Sequence, residues 1–181
     1  MKFLSIILAV ALTACSTTSS TPKASSTSIV SCVVLSIAPS SNEMPTTQLP
    51  CLEENGLTTE KYALNSIKGP FIINVWGSWC TACTEELPFF VELNKTKVVQ
   101  VIGLDVEEAK ASDAIAFAKN HQMEWPQIHD PNGATRGVFG MGVPVTWFVD
   151  KNGHVTFKKV GQIHSLAELK DLLQTHLGIS A

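Results

Sequence analysis

Two cysteines separated by two residues, Cys80 and Cys83, stand where a strand-like run gives way to a helix-like run. The run before them is Phe71-Ile72-Ile73-Asn74-Val75-Trp76, and Thr84-Glu85-Glu86-Leu87-Pro88-Phe89-Phe90-Val91-Glu92-Leu93 follows. A helix beginning at this point aims its free N–H groups and positive dipole end at the first sulfur. That environment favours the thiolate, the form that attacks disulfides. Thr81 and Ala82 set the tight turn that lets the sulfurs meet, so the expectation is an exposed attacking Cys80 and a resolving Cys83 one turn inside. Half of a zinc site is a weaker reading, because such sites need a second close Cys or His pair. Cys32 and Cys51 are too far apart to supply one, and no His pair sits at ligand spacing, so no metal is expected. An inert structural disulfide is the remaining alternative.

Gly77-Ser78-Trp79-Cys80-Thr81-Ala82-Cys83 resembles the active-site segment of the thioredoxin-like superfamily. Glu86-Leu87-Pro88 is similar to the membrane-tethered, extracytoplasmic branch of thiol–disulfide oxidoreductases, which includes the cytochrome c maturation reductases. The likeness extends from about Leu57 to Leu177. It implies a thioredoxin-like α/β fold, a mixed central sheet flanked by helices, here with an N-terminal extension. It also implies a role for Glu86. Three residues beyond Cys83, it shares that side of the helix. In the resembling branch this glutamate is a partly buried acid beneath the cysteines, and burial raises a carboxyl pKa into the range of a proton carrier. Thioredoxin carries a buried aspartate on the strand before its cysteines. The corresponding Asn74 takes no proton in this pH range, which leaves the acid–base work to Glu86. Gly142-Val143-Pro144-Val145-Thr146 resembles the cis-proline loop that faces the CxxC, leaving the Val143 backbone free to pair with an extended substrate. Trp79, Val143 and Pro144 are therefore the expected substrate contacts.

The N-terminus has its own signal. Phe3 to Leu12 is an apolar run too short to span a bilayer, and Leu12-Thr13-Ala14-Cys15 resembles a bacterial lipobox. That resemblance implies a signal peptide over residues 1–14 and lipidation of Cys15, with ordinary cleavage after Ala11 as the rival. Ser16 to Ser28 is nearly all Ser and Thr, cannot bury enough surface to fold, and reads as a tether spanning about 20 Å root-mean-square. Residues 15–28 are thus lipidated tether, 29–56 an N-terminal arm and 57–181 the thioredoxin-like domain. With Cys15 set aside, four of the five cysteines remain. Outside the cytoplasm this suggests two disulfides. Cys80–Cys83 is the redox pair and Cys32–Cys51 the candidate structural pair stapling the arm, although four cysteines allow three pairings.

Of the 181 residues, 13 are Lys or Arg and 16 Asp or Glu, giving a net charge of −3 that does not favour nucleic acid. Strand composition recurs at Ile29–Leu35, Leu57–Tyr62, Val98–Leu104, Pro126–Asp130 (a short or edge strand), Val145–Val149 and His154–Val160, the last two joined by a hairpin turn at Asp150–Gly153. Helical patterns cover Cys80 to about Asn94 with Pro88 inside, Ser112 to Gln122 with Ser112 as N-cap, Asn132 to Phe139, and a Ser165-capped run to about Leu177. Trp76, Phe89, Phe90, Trp147 and Phe148 read as core. The five histidines look scattered on the surface, and Lys158-Lys159 reads as an exposed strand end.

The function these features imply is thiol–disulfide exchange on protein substrates, by a monomer lipid-anchored to the cell membrane on its extracytoplasmic face. No cofactor is required. Apocytochrome c is one client the resemblance suggests, and a membrane redox partner would regenerate the pair. Thr81-Ala82 matches neither the Gly-Pro of thioredoxin nor the Pro-His of strong oxidants, so direction is not legible. Two other readings compete. A thiol peroxidase needs a threonine and a proline where this chain has Gly77 and Ile73. A copper carrier or binding lipoprotein of this fold spaces its cysteines by three residues and adds a histidine. Met141 near Pro144 lacks the Cys/His set for copper.

Overall fold

The computed structural model describes residues 27–37, 43–140 and 142–181. The lipobox with Cys15, most of the tether and Met141 lie outside the described residues. Among the described residues, seven strands form one mixed sheet: β1 (Leu49–Glu53), β2 (Gly56–Tyr62), β3 (Phe71–Trp76), β4 (Gln100–Val106), β5 (Gln127–Asp130), β6 (Val145–Val149) and β7 (Val155–Val160). Their order is β2-β1-β5-β4-β3-β6-β7. The α-helices of the described residues are α1 (Thr81–Thr96), α2 (Ala111–Asn120), α3 (Arg136–Phe139) and α4 (Leu166–Leu177). The fold is thioredoxin-like, and among the described residues no helix is long and apolar enough to cross a membrane.

β3 is the centre. It pairs parallel with β4 and antiparallel with β6, and all six of its residues are buried. A strand covered on both faces reads as a continuous apolar run, which is what the sequence shows there. Because side chains alternate, Ile72 and Trp76 join the cluster containing Leu87, Phe90, Ile115 and Leu169 from α1, α2 and α4. Phe71, Ile73 and Val75 join the opposite cluster with Cys32, Leu35, Phe139 and Trp147. Asn74 therefore projects beneath α1, among apolar neighbours.

Several local expectations change. Ile29–Leu35 forms no strand; Cys32–Val34 is a 3-10 turn, begun by Ser31, whose hydroxyl accepts from Val33 N. The β-branched composition favours a strand only where a partner strand exists; here Cys32 is bonded to Cys51 on β1, at a Cα separation of 6.1 Å. β1 joins the main sheet through Cys51, opposite Ile128. That contact makes β5 an interior strand instead of an edge, with all four residues buried. β4 begins at Gln100, later than Val98, because α1 runs to Thr96 and ends on Lys97 at φ 55°. α1 continues through Pro88. Lys110, not Ser112, occupies the N-cap of α2, and the Ser112 hydroxyl bonds Asp113. Only Arg136–Phe139 of the 132–139 run is helical. Ser165 caps α4 by accepting from Glu168 N, and Leu169 and Leu173 are buried beneath it.

Candidate active site

Parallel strands β3 and β4 end on the same side of the sheet, and the chain turns there from Trp76 through Gly77-Ser78-Trp79 into α1. Cys80 is the N-cap of that helix, with φ −94° and ψ 104°. Its backbone N–H donates to Gly77 O at 3.0 Å, and its carbonyl accepts the first helical bond from Thr84 N at 3.2 Å. The Cys80 sulfur accepts from Cys83 N at 3.1 Å. One otherwise orphaned helix N–H is thus directed at the sulfur, the arrangement that stabilises a thiolate when the bond is open. Cys80 and Cys83 form a disulfide, with Cα atoms 5.2 Å apart. Cys80 is 7% exposed and Cys83 fully buried, so the first cysteine is the more accessible of the two yet far more covered than an exposed attacker.

The loop before Cys80 is held from β4's end. Glu108 Oε2 accepts from Ser78 N at 3.2 Å and also from the Ser78 hydroxyl. Trp79 folds back over Gly77: a Cβ at residue 77 would stand 2.6 Å from the indole nitrogen. Even so, Trp79 stays 54% exposed. Trp79 and Val143 line one cleft with Val75, Val106 and Phe139, and the Arg136–Glu107 ion pair (2.5 Å) borders it. The Val143–Pro144 peptide is cis, as is Gly69–Pro70. Pro144 is buried at the head of β6, where its carbonyl accepts from Gly161 N at 3.0 Å. Of the three expected substrate contacts, Trp79 and Val143 share this cleft, and Pro144 follows Val143 in the chain.

Glu86 is fully buried. Its Oε1 accepts from Asn74 Nδ2 at 2.8 Å, and its Oε2 from Ile163 N at 2.9 Å. Burial pushes its pKa from 4.5 up to about 7, against the lowering effect of those two hydrogen bonds. Glu85, its neighbour in sequence, is exposed and bonds Gln162 instead.

Sequence reasoning missed a second polar pair. His129 Nδ1 lies 2.5 Å from Asp105 Oδ2, and both residues are buried. Asp105 stands opposite Trp76 on β3 and opposite His129 on β5. Burial raises the Asp105 pKa from 3.8 to about 6, with His129 acting in the opposite direction. A surface reading of His129 fails because β5 is interior, with all four of its residues buried. Lys158-Lys159 is likewise more than an exposed end. Lys158 Nζ lies 3.9 Å from the Trp147 ring centroid, and half-buried Lys159 pairs with Glu168 at 3.0 Å. Among the described residues no group of three or more His, Cys, Asp or Glu side chains could hold a metal.

Residues 41–158 match the model of the AhpC/TSA family. The thiol-disulfide oxidoreductase ResA of Bacillus cereus is 32% identical over 111 residues, covering 59% of this chain and 64% of the relative. The thiol:disulfide interchange protein DsbE of Xylella fastidiosa is 30% identical over 124 residues, covering 66% of this chain and 60% of the relative. The match therefore spans somewhat less than two thirds of these curated relatives. Among solved structures, a secreted thiol-disulfide isomerase from Corynebacterium glutamicum superposes with a TM-score of 0.59 at 22% identity, covering 75% of this chain and 83% of the other. The likeness in that case is one of fold.

Proposed function

Since the chain belongs to the AhpC/TSA family, we propose that it is a thiol–disulfide oxidoreductase of the ResA/DsbE type, acting on protein substrates through Cys80 and Cys83. One observation carries the reading: the CxxC disulfide caps the N-terminus of α1 while a buried carboxyl, Glu86, stands one turn further along the same helix. In the reducing direction, the Cys80 thiolate attacks a client disulfide and one client cysteine leaves as a thiolate. Cys83 then attacks the Cys80 sulfur of the mixed disulfide, and the second client thiolate departs. Two electrons pass to the client and the CxxC disulfide re-forms. Cys83 must lose a proton in that second step, and Glu86, with a pKa near neutrality, accepts it. The cleft beside Trp79 and the Val143 backbone would hold the client segment around its cysteine. The same parts run in reverse donate a disulfide.

The setting is part of the proposal. Lipidation at Cys15 would hold the domain on the extracytoplasmic face of the membrane, reachable by a membrane partner that renews the dithiol. Apocytochrome c, whose haem-binding cysteines must be reduced before attachment, is the proposed client of the reducing direction. Gly77 and Ile73 stand where a thiol peroxidase needs Thr and Pro, which argues against peroxide chemistry.

The deciding experiment is the reduction potential of Cys80–Cys83, equilibrated against glutathione and dithiothreitol buffers, alongside insulin reduction. A potential near or below about −270 mV assigns a reductant, and one near about −120 mV a disulfide donor. Absence of a reversible couple overturns the function. Fatty-acid labelling of the native chain and of Cys15→Ser tests the anchor separately.

A further inference from the structure

Beneath α1, two polar atoms have no protein partner. Asn74 commits its amide nitrogen to Glu86, but its Oδ1 is buried and unpaired, and the hydroxyl of fully buried Thr146 is unpaired as well. The two residues stand directly opposite each other on β3 and β6. Directly opposed residues send their side chains to the same face, with Cβ atoms about 5 Å apart. It is the face Glu86 reaches from α1, because Asn74 bonds it there. Cys83, also fully buried, precedes Glu86 by three residues and shares its side of the helix.

Buried polar groups in native interiors are satisfied by protein or by ordered water. An amide oxygen can only accept, whereas a hydroxyl both donates and accepts. Side by side, they present the two partners a buried water needs, with capacity left on the water for one or two more bonds. A carboxylate oxygen holding a single hydrogen bond still accepts another.

We infer that Asn74 and Thr146 hold one buried water that links Cys83 to Glu86, and that Thr146 is a positioning residue for proton transfer. The inference rests on the proposed role of Glu86 and deepens it. As the mixed disulfide resolves, the Cys83 S–H bond breaks and its proton goes to the water, which passes one proton to the Glu86 carboxylate. The Cys83 sulfur bonds Cys80, the Cys80–client bond breaks, and the client cysteine leaves with the electron pair. The client disulfide is the oxidant, and no other is required. The charged groups bearing on Glu86 from the neighbouring elements are Lys159 of β7 and Glu168 of α4, which pair with each other at 3.0 Å and act on the carboxyl in opposite directions.

The test compares Thr146→Val, Thr146→Ser and Glu86→Gln in the full chain, following resolution of a Cys80 mixed disulfide by stopped flow from pH 5 to 9. Val preserves shape and removes the hydroxyl. The expected result is a roughly tenfold slower resolution with a displaced pH inflection in Thr146→Val, and recovery to within about twofold in Thr146→Ser. A Thr146→Val rate and profile equal to the native ones, with Glu86→Gln altered, overturns the water link alone. An unaltered profile in Glu86→Gln removes the proton carrier and the link with it. Should Thr146→Val not fold, a high-resolution crystal structure of the native oxidised protein decides: water bonded to both Asn74 Oδ1 and Thr146 Oγ1 supports the inference, and a dry gap there overturns it.

Discussion

Asn74 Nδ2 donates to Glu86 Oε1 at 2.8 Å, across the packed boundary between β3 and α1. The bond holds the carboxyl in the interior, three residues beyond buried Cys83 and on the same side of α1. It also divides the labour: the strand residue orients without titrating, and the helix residue titrates.

Glu86→Gln keeps the shape and removes the titration. The native rate of mixed-disulfide resolution should show an inflection near pH 7, following a carboxyl raised to about 7. The variant should lose that inflection and run about a hundredfold slower at pH 8. Stopped-flow resolution of a Cys80 adduct measures both. A native-like profile in the variant would falsify the assignment.

The same carboxyl ties stability to pH. Its folded pKa, about 7, lies above the unfolded value of 4.5. Between those values the folded state binds more protons than the unfolded one. Stability is therefore fully present below pH 4.5 and is lost as pH rises toward 7, by about 3 kcal/mol in all. Asp105, raised from 3.8 to about 6, adds a loss of the same sign at lower pH. Urea denaturation of the oxidised protein at pH 5 and pH 8 should show the native chain weaker at pH 8. Glu86→Gln should close most of that gap, and an undiminished gap would assign the slope to other groups.

His129→Leu leaves the Asp105 carboxylate buried without its partner, a change that costs about 3–5 kcal/mol. Replacing both residues by Leu removes the stranded charge and should recover most of the loss. Chemical denaturation of the two single variants and the double variant gives the coupling directly. Additive losses would show that the pair does not act as a unit.

Cys32 and Cys51 close a loop with a sequence separation of 19. Serine at both positions should lower stability by about 3 kcal/mol, the chain-entropy value for a loop of this length. Insulin reduction at 25 °C should stay native-like, because Cys80 and Cys83 are untouched. Loss of turnover in a variant that remains folded would give the second disulfide a redox role.

The redox centre was legible in the sequence because its physics is local. A CxxC between an apolar strand and a helix places a sulfur at a helix N-terminus from residue order alone, and Glu86 follows at helical spacing. β3, β6, β7 and α4 were legible for the same reason: their periodicities and the Ser165 cap are short-range signals. Other features depended on partners distant in the chain. Ile29–Leu35 has strand composition but lacks a pairing strand, so it became a turn bonded through Cys32 to β1.

His129 illustrates the division most clearly. Its identity and neighbours suit an edge strand, where an imidazole is solvated. Only the placement of β1 against β5 made that strand interior, and the register of β5 on β4 set Asp105 opposite His129. The facing of Asn74 and Thr146 likewise depends on β6 returning beside β3, 72 residues along the numbering from 74 to 146. Local order thus determined where electrons can be held in this chain. Long-range packing decided which polar groups surround them and how strongly burial shifts their protons, because desolvation depends on everything that covers a group and not on its neighbours in sequence.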